Sequence, residues 1–200
     1  MVIAGRPGSG KTSCVDQILN EAEFLNLGME FDILKFQFEM SDHQTGAREL
    51  TAAMGMSMKE LFNADKNRRI TDADLERIIR FHDKVNAKSI YQVSQVRTAR
   101  QIRSDVISFY NTHKKRLIVM IDHSILTKRD ADEKDTLESL YALSAVLVDL
   151  KKRLPEVIFI VLTQMNRSIE DPIRRENGRA ANYPTPADVF GGDALMQNCD

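Results

Sequence analysis

The stretch Gly5-Arg6-Pro7-Gly8-Ser9-Gly10-Lys11-Thr12 fits the phosphate-loop pattern G-x-x-x-x-G-K-[ST] at every constrained position. The spacing has a physical reason. Glycines let the backbone curl so that several amides converge on one phosphate, Lys11 neutralises charge on the β- and γ-oxygens, and the Thr12 hydroxyl can ligate Mg²⁺. Together with Ser13, these residues are the candidate nucleotide-binding set. The apolar residues Met1 to Ala4 before the loop and a helix-like segment from Lys11 separate it from an ordinary glycine-rich turn. The expected architecture is a three-layer α/β domain, with a mostly parallel sheet flanked by helices.

With 200 residues, 42% of them hydrophobic, the chain can bury one substantial core, and a single domain over 1–200 is expected. No run approaches the roughly 20 apolar residues of a membrane span. The net charge of −1 leaves no global electrostatic footprint for nucleic acid, so any such contact must come from local loops. Cys14 and Cys199 lie at opposite ends without metal-ligand spacing, and Met1-Val2-Ile3-Ala4 is too short for a signal peptide. A reduced, cytoplasmic setting is expected.

Outward from the loop, helix-like and strand-like segments alternate. Thr12 to Leu27 reads as a helix closed by Gly28, and Phe31 to Met40 as an apolar strand. Ser41-Asp42-His43-Gln44 is a capping box opening a helix to about Met54, stopped by Gly55. A short helix around Lys59 to Phe62 follows, then a start signal at Thr71-Asp72-Ala73-Asp74 with Leu75, Ile78, Ile79 and His82 at helical spacing. His82 is expected to be a half-buried helix residue rather than a ligand. Next come a strand around Ser89 to Val93, a helix from Thr98 carrying Ile102, Val106, Phe109 and Tyr110 on one stripe, and the apolar run Arg116 to Asp122. Asp132 to Leu154 reads as a long helix with Leu137, Leu140, Tyr141, Ser144, Leu147 and Leu154 as its repeat. Val157 to Thr163 is a strand ending at Gln164.

Ligands of open α/β sheets gather at the carboxyl ends of the strands, so the residues there carry the chemistry. Asp122 closes a buried run and is placed to support a Mg²⁺ shell, the role of a Walker B acid. Glu39, at the end of its strand, is placed to act as general base on water attacking the γ-phosphate. Gln164 offers a neutral amide able to read whether that phosphate is present. Taken singly, Glu39 or Gln164 reads better as a solvated strand end. The phosphate loop, Glu39, Asp122 and Gln164 at four strand ends in this order are harder to dismiss.

At this point GRPGSGKTS, FQFEMSDHQ, RLIVMIDH and VLTQMNRS resemble the ATPase motor of DnaB-type replicative DNA helicases, within the RecA-like branch of phosphate-loop ATPases. The stretch Asp188-Val189-Phe190-Gly191-Gly192-Asp193-Ala194-Leu195-Met196-Gln197 is similar to that family's motif near its DNA-facing loops. The resemblance covers almost the whole chain. It implies ATP and Mg²⁺ as cofactors, with Lys11 and Thr12 binding phosphate and metal, Glu39 activating water, Asp122 supporting the metal and Gln164 coupling phosphate state to DNA loops. It also implies an extra strand between the phosphate-loop strand and the Asp122 strand. Single-stranded DNA, further copies of the chain in a hexameric ring, a primase and a helicase loader are the implied partners.

Two residues depart from the family pattern. His123 stands where Tyr usually follows the acid, and Phe190 where Arg is common in bacterial members. The family's arginine finger and companion Lys lie beyond the motif at which this chain stops, and its N-terminal domain lies before the phosphate loop. A motor-domain piece or shortened relative is therefore expected. It should bind ATP but hydrolyse it poorly alone, because such a finger supplied in trans is worth on the order of 10³ to 10⁵ in turnover.

The irregular segment Met165 to Pro186 sets Arg167, Arg174, Arg175 and Arg179 against Glu170, Asp171 and Glu176. It reads either as a mobile solvated loop or, because it follows Gln164, as a loop touching single-stranded DNA. Its four arginines, with Gly191 and Gly192, are the candidate DNA-binding residues. Two other functions share the phosphate loop: a RecA-like recombinase or assembly switch without unwinding, and a small-molecule kinase. The kinase has no evident need for Glu39 and Gln164 in these roles.

Overall fold

The computed structural model describes residues 1–62, 70–86, 89–176 and 183–199, and the statements below concern those residues. They group into two compact units, Met1–Glu39 with Tyr91–Asp200, and Met40–Ile90. In the first, β1 (Val2–Gly5) leads into α1 (Lys11–Leu25) and β2 (Phe31–Gln37). After edge strand β3 (Ile90–Val93) come α5 (Ala99–His113), β4 (Arg116–Asp122), α6 (Thr136–Arg153), β5 (Val157–Gln164), α7 (Pro172–Glu176) and α8 (Gly192–Met196).

The five strands lie in the order β1-β5-β4-β2-β3. The pairings of β1 with β5, β5 with β4, and β4 with β2 are all parallel. The strand separating the phosphate-loop strand from the Asp122 strand is β5, as the resemblance implied. Parallel pairing brings the ends of β1, β2, β4 and β5, at Gly5, Gln37, Asp122 and Gln164, to one edge of the sheet.

Side chains alternate along a strand, and register partners share a face. Leu34, Phe36, Val119, Ile121, Phe159 and Val161 therefore face one way, where Ile102 and Val106 of α5, Leu140, Leu143 and Leu150 of α6, and Leu195 of α8 close over them as one buried core. The opposite face receives α1, whose Val15 and Leu19 are buried. On that face Lys35 Nζ lies 2.8 Å from Asp16 Oδ1, an ion pair between β2 and α1 that is almost wholly buried. Removing one partner of such a pair costs roughly 3–5 kcal/mol, so it fixes α1 against the sheet directly behind the phosphate loop.

The second unit contains α2 (Asp42–Met54), α3 (Met58–Leu61) and α4 (Asp72–Asn86). Ser41 and Gln44 form the expected capping box on α2, and Gly55 ends it in the left-handed conformation at φ 63°. Met54, Met56 and Leu61 form its small core, with Leu50 and Ile78 against them.

Several sequence expectations are corrected. Strand β2 ends at Gln37 rather than Met40, because its partner β4 ends at Asp122 and only the Phe38 amide, donating to the Asp122 carbonyl, pairs beyond it. Glu39 thus lies two residues past the strand. Helix α1 stops at Leu25, where the Asn26 side chain donates to the Ala22 carbonyl (2.7 Å) in competition with further helix. Helix α6 begins at Thr136 because Asp135 caps it, accepting from the Glu138 amide. Its Leu137 and Tyr141 are exposed, while Leu143 and Leu150, outside the expected repeat, are buried. His82 is exposed rather than half-buried.

Candidate nucleotide and metal site

The phosphate loop runs from the last residue of β1 to the first of α1. At Gly5 a Cβ would lie 2.6 Å from Ser9 Oγ and 3.1 Å from Lys11 Cγ, so a side chain there would displace the Ser9 hydroxyl and crowd the Lys11 stem. Gly10 caps α1 at φ 84°, a left-handed conformation that costs glycine little. Pro7, Gly8, Ser9 and Gly10 are exposed, beside the amides of the first turn of a 15-residue helix. Such a helix start favours an anion. Lys11 folds back over the loop, with Nζ donating to the carbonyls of Gly5 (3.0 Å) and Arg6 (3.1 Å).

Thr12 donates its hydroxyl proton to Asp122 Oδ2 at 2.8 Å. That bond leaves the lone pairs of the Thr12 oxygen for a cation, while Asp122 Oδ1, buried and without a hydrogen-bond partner among the described residues, offers a second oxygen. Burial above all pushes the Asp122 carboxyl up from its ordinary value, the Thr12 bond opposes it, and Glu39 and Asp16 push further up. A divalent cation would favour the ionised form. The donor set fits Mg²⁺, which binds through one or two protein oxygens and keeps its other positions for phosphates and water. Among the described residues no cluster of His, Cys, Asp and Glu forms a metal cage of its own.

Beside this centre the strand ends bring three residues together. His123, buried after Asp122, has Nε2 3.1 Å from Gln164 Nε2 and 3.8 Å from Glu39 Oε2. Burial lowers the pKa of His123, with Glu39 and Asp122 opposing. A neutral ring accepts the Gln164 amide proton at Nε2 when its own proton sits on Nδ1. Glu39 remains half-exposed at the mouth of the site. The geometry therefore places the general-base candidate and the candidate phosphate-sensing amide beside one imidazole.

A family model described as DnaB-like helicase C terminal domain matches residues 1–200. The chain belongs to the DnaB-like helicase C-terminal domain family. Two solved structures share the fold of this DnaB-like domain. One, an ATPase domain, superposes with a TM-score of 0.82 at 19% identity, covering 100% of this chain and 66% of that one. The other, a DnaB-like replicative helicase solved with its interactions with primase, superposes with a TM-score of 0.80 at 21% identity, covering 100% of this chain and 45% of that one. The DnaB-like domain thus spans less than two thirds of the first and under half of the second. No curated protein matches it.

The segment after Gln164 in the DnaB-like domain is stitched at its base. Met165 bridges Val189 antiparallel, the Asn166 amide donates to the Asp188 carbonyl (2.6 Å), and the Phe190 amide to the Gln164 carbonyl (2.9 Å). Arg6 of the phosphate loop reaches the same segment, its Nε donating to Glu170 Oε1 (2.8 Å) and its NH2 to Glu170 Oε2 (3.1 Å). Sequence reading missed this fork, since the partners stand 164 positions apart.

The candidate DNA residues are placed unequally. Arg167 is exposed in a 3₁₀ turn. Arg174 instead makes a two-pronged ion pair with buried Asp188, so its guanidinium holds the segment to its own stem. Arg179 and the side chain of Arg175 lie outside the described residues. A Cβ on Gly191 would meet Leu140 Cδ1 at 2.5 Å and one on Gly192 the Pro186 carbonyl oxygen at 2.6 Å, so close packing accounts for both glycines.

The Arg174 hydrogen bonds first, and then the Thr185 amide, hold the Asp188 carboxyl well below the usual carboxylate range. A depressed folded-state pKa gives stability that is complete above the unfolded value, about 3.9, and is lost as pH falls through the folded value. Asp188→Asn should therefore unfold at lower urea than the parent at pH 7. The gap should narrow as pH drops below about 4. A gap constant with pH would show that the carboxylate charge contributes nothing.

Proposed function

We propose that the chain is the ATP-hydrolysing motor domain of a ring-forming replicative helicase that moves along single-stranded DNA and unwinds duplex. The observation that carries this reading is the meeting of Lys11, Thr12, Asp122, Glu39 and Gln164 at one sheet edge in a chain of the DnaB-like family. Loop amides and Lys11 bind the triphosphate, and Thr12 with Asp122 behind it would hold Mg²⁺. The metal supplies positive charge that offsets the charge developing on the phosphate oxygens. Glu39, open to water, orients the attacking molecule and takes its proton. Gln164 donates to the γ-phosphate while it is present and turns to His123 afterwards. That exchange pulls on Met165 and Asn166, the stem of the segment proposed to touch single-stranded DNA through Arg167.

Ring assembly places further copies of the chain as partners, and the primase bound by one structural neighbour is the first other protein to test. A cytoplasmic setting accords with two free cysteines and, among the described residues, no helix long and apolar enough to cross a membrane. The deciding measurement is ATP hydrolysis by the protein carrying this chain, with and without single-stranded DNA, alongside unwinding of a forked duplex. Hydrolysis should rise several-fold with DNA, and the fork should open. DNA-stimulated hydrolysis without unwinding would instead indicate a recombinase-like or assembly switch. Phosphate appearing on an added acceptor would indicate a kinase.

A further inference from the structure

We infer that Gln37 is a positioning residue for the hydrated metal of the nucleotide site, holding a metal-bound water between its side-chain amide and Asp122. The inference rests on the nucleotide-site reading above and assigns a role to a residue that reading leaves idle.

Gln37 is 1% exposed, yet among the described residues neither its amide nitrogen nor its amide oxygen has a hydrogen-bond partner. Asp122 Oδ1 is in the same condition. The two residues are register partners on adjacent strands, so their side chains leave the same face of the sheet about 5 Å apart at their origins. Three buried polar atoms with no partner among the described residues therefore sit together at the carboxyl ends of β2 and β4, beside the Thr12 hydroxyl that Asp122 Oδ2 already accepts.

A buried amide with nothing to bind is costly, and an apolar side chain of similar volume would avoid that cost. Along this face the neighbouring positions follow that rule, with Ile33 and Met120 apolar and Lys35 paired to Asp16. Gln37 breaks it at the level of the metal candidates. The chemistry of an amide suits water, because the carbonyl end accepts from it and the amino end donates to it. Mg²⁺ keeps several of its waters when bound to protein, and the groups behind those waters orient the first shell. Thr163 Oγ1 is also buried and unpartnered, but it precedes Gln164 on β5 and so leaves the opposite face, which excludes it from the group.

The test is equilibrium binding of a fluorescent, non-hydrolysable ATP analogue to the chain, in Mg²⁺ and in EDTA. Gln37→Met keeps the volume and removes both polar ends. Its affinity in EDTA should equal the parent's, while the gain in affinity on adding Mg²⁺ should shrink by about 10-fold, the scale of outer-shell effects on metal sites. The nucleotide-free variant should unfold at the same temperature as the parent or higher, since the orphaned groups are gone. If Gln37→Met does not fold, Gln37→Asn, whose amide is drawn back by one methylene, should show the same selective loss. An undiminished Mg²⁺ gain, or equal losses in Mg²⁺ and EDTA, would overturn the assignment while leaving the nucleotide site standing. A parent chain that binds no analogue in either buffer would remove the nucleotide site, and the role of Gln37 with it.

Discussion

Lys11→Ala is expected to abolish triphosphate binding, with affinity falling on the order of 10²- to 10⁴-fold. The magnitude follows from losing two charge-assisted hydrogen bonds to phosphate oxygens, each worth about 1.5–3 kcal/mol. Lys11 also holds the loop, because Nζ donates to the Gly5 and Arg6 carbonyls, so the loop should lose some of its preformed shape. Its side chain is only partly buried, and the fold should survive. Titration with a fluorescent ATP analogue checks the first effect and thermal unfolding the second. Unchanged affinity would move the triphosphate away from this loop.

Glu39→Gln should leave nucleotide affinity near that of the parent and lower DNA-stimulated hydrolysis on the order of 10²- to 10⁴-fold, the range for removing a general base. Glutamine matches the shape of glutamate but cannot take a proton from water. The structure favours a clean separation of the two effects. Glu39 lies 3.8 Å from the His123 ring, and its half-exposed side chain carries little of the fold. Single-turnover hydrolysis beside analogue binding measures both. Turnover retained in Glu39→Gln would assign the base elsewhere on this edge.

Much of this site is legible in the sequence alone. The phosphate loop is local: glycine turn, lysine and threonine follow one another in the chain, and their geometry depends on near neighbours. Asp122 was legible because an apolar run closing in an acid marks a strand end in a parallel sheet. The capping box at Ser41 was equally local, and it formed. Glu39 was read correctly as lying near the rim but wrongly as belonging to the strand, because where β2 ends depends on where its partner β4 ends. The arginines after Gln164 could not be sorted by sequence. Arg174 is consumed by Asp188 and Arg6 by Glu170, pairings that no charge count distinguishes from solvated side chains.

By itself, then, the sequence determined the order of strands and helices, the glycine-rich loop with its lysine and threonine, and the polar residues that close the strands, because period, capping and turn chemistry act over a few residues. The tertiary structure decided which of those ends meet. It set β5 between β1 and β4, levelled Gln37 with Asp122, brought His123 between Glu39 and Gln164, and tied Arg6 to Glu170. Register and ion pairing join residues distant in the chain. They are selected by the burial of one shared core, which a reading of neighbours along the chain cannot see.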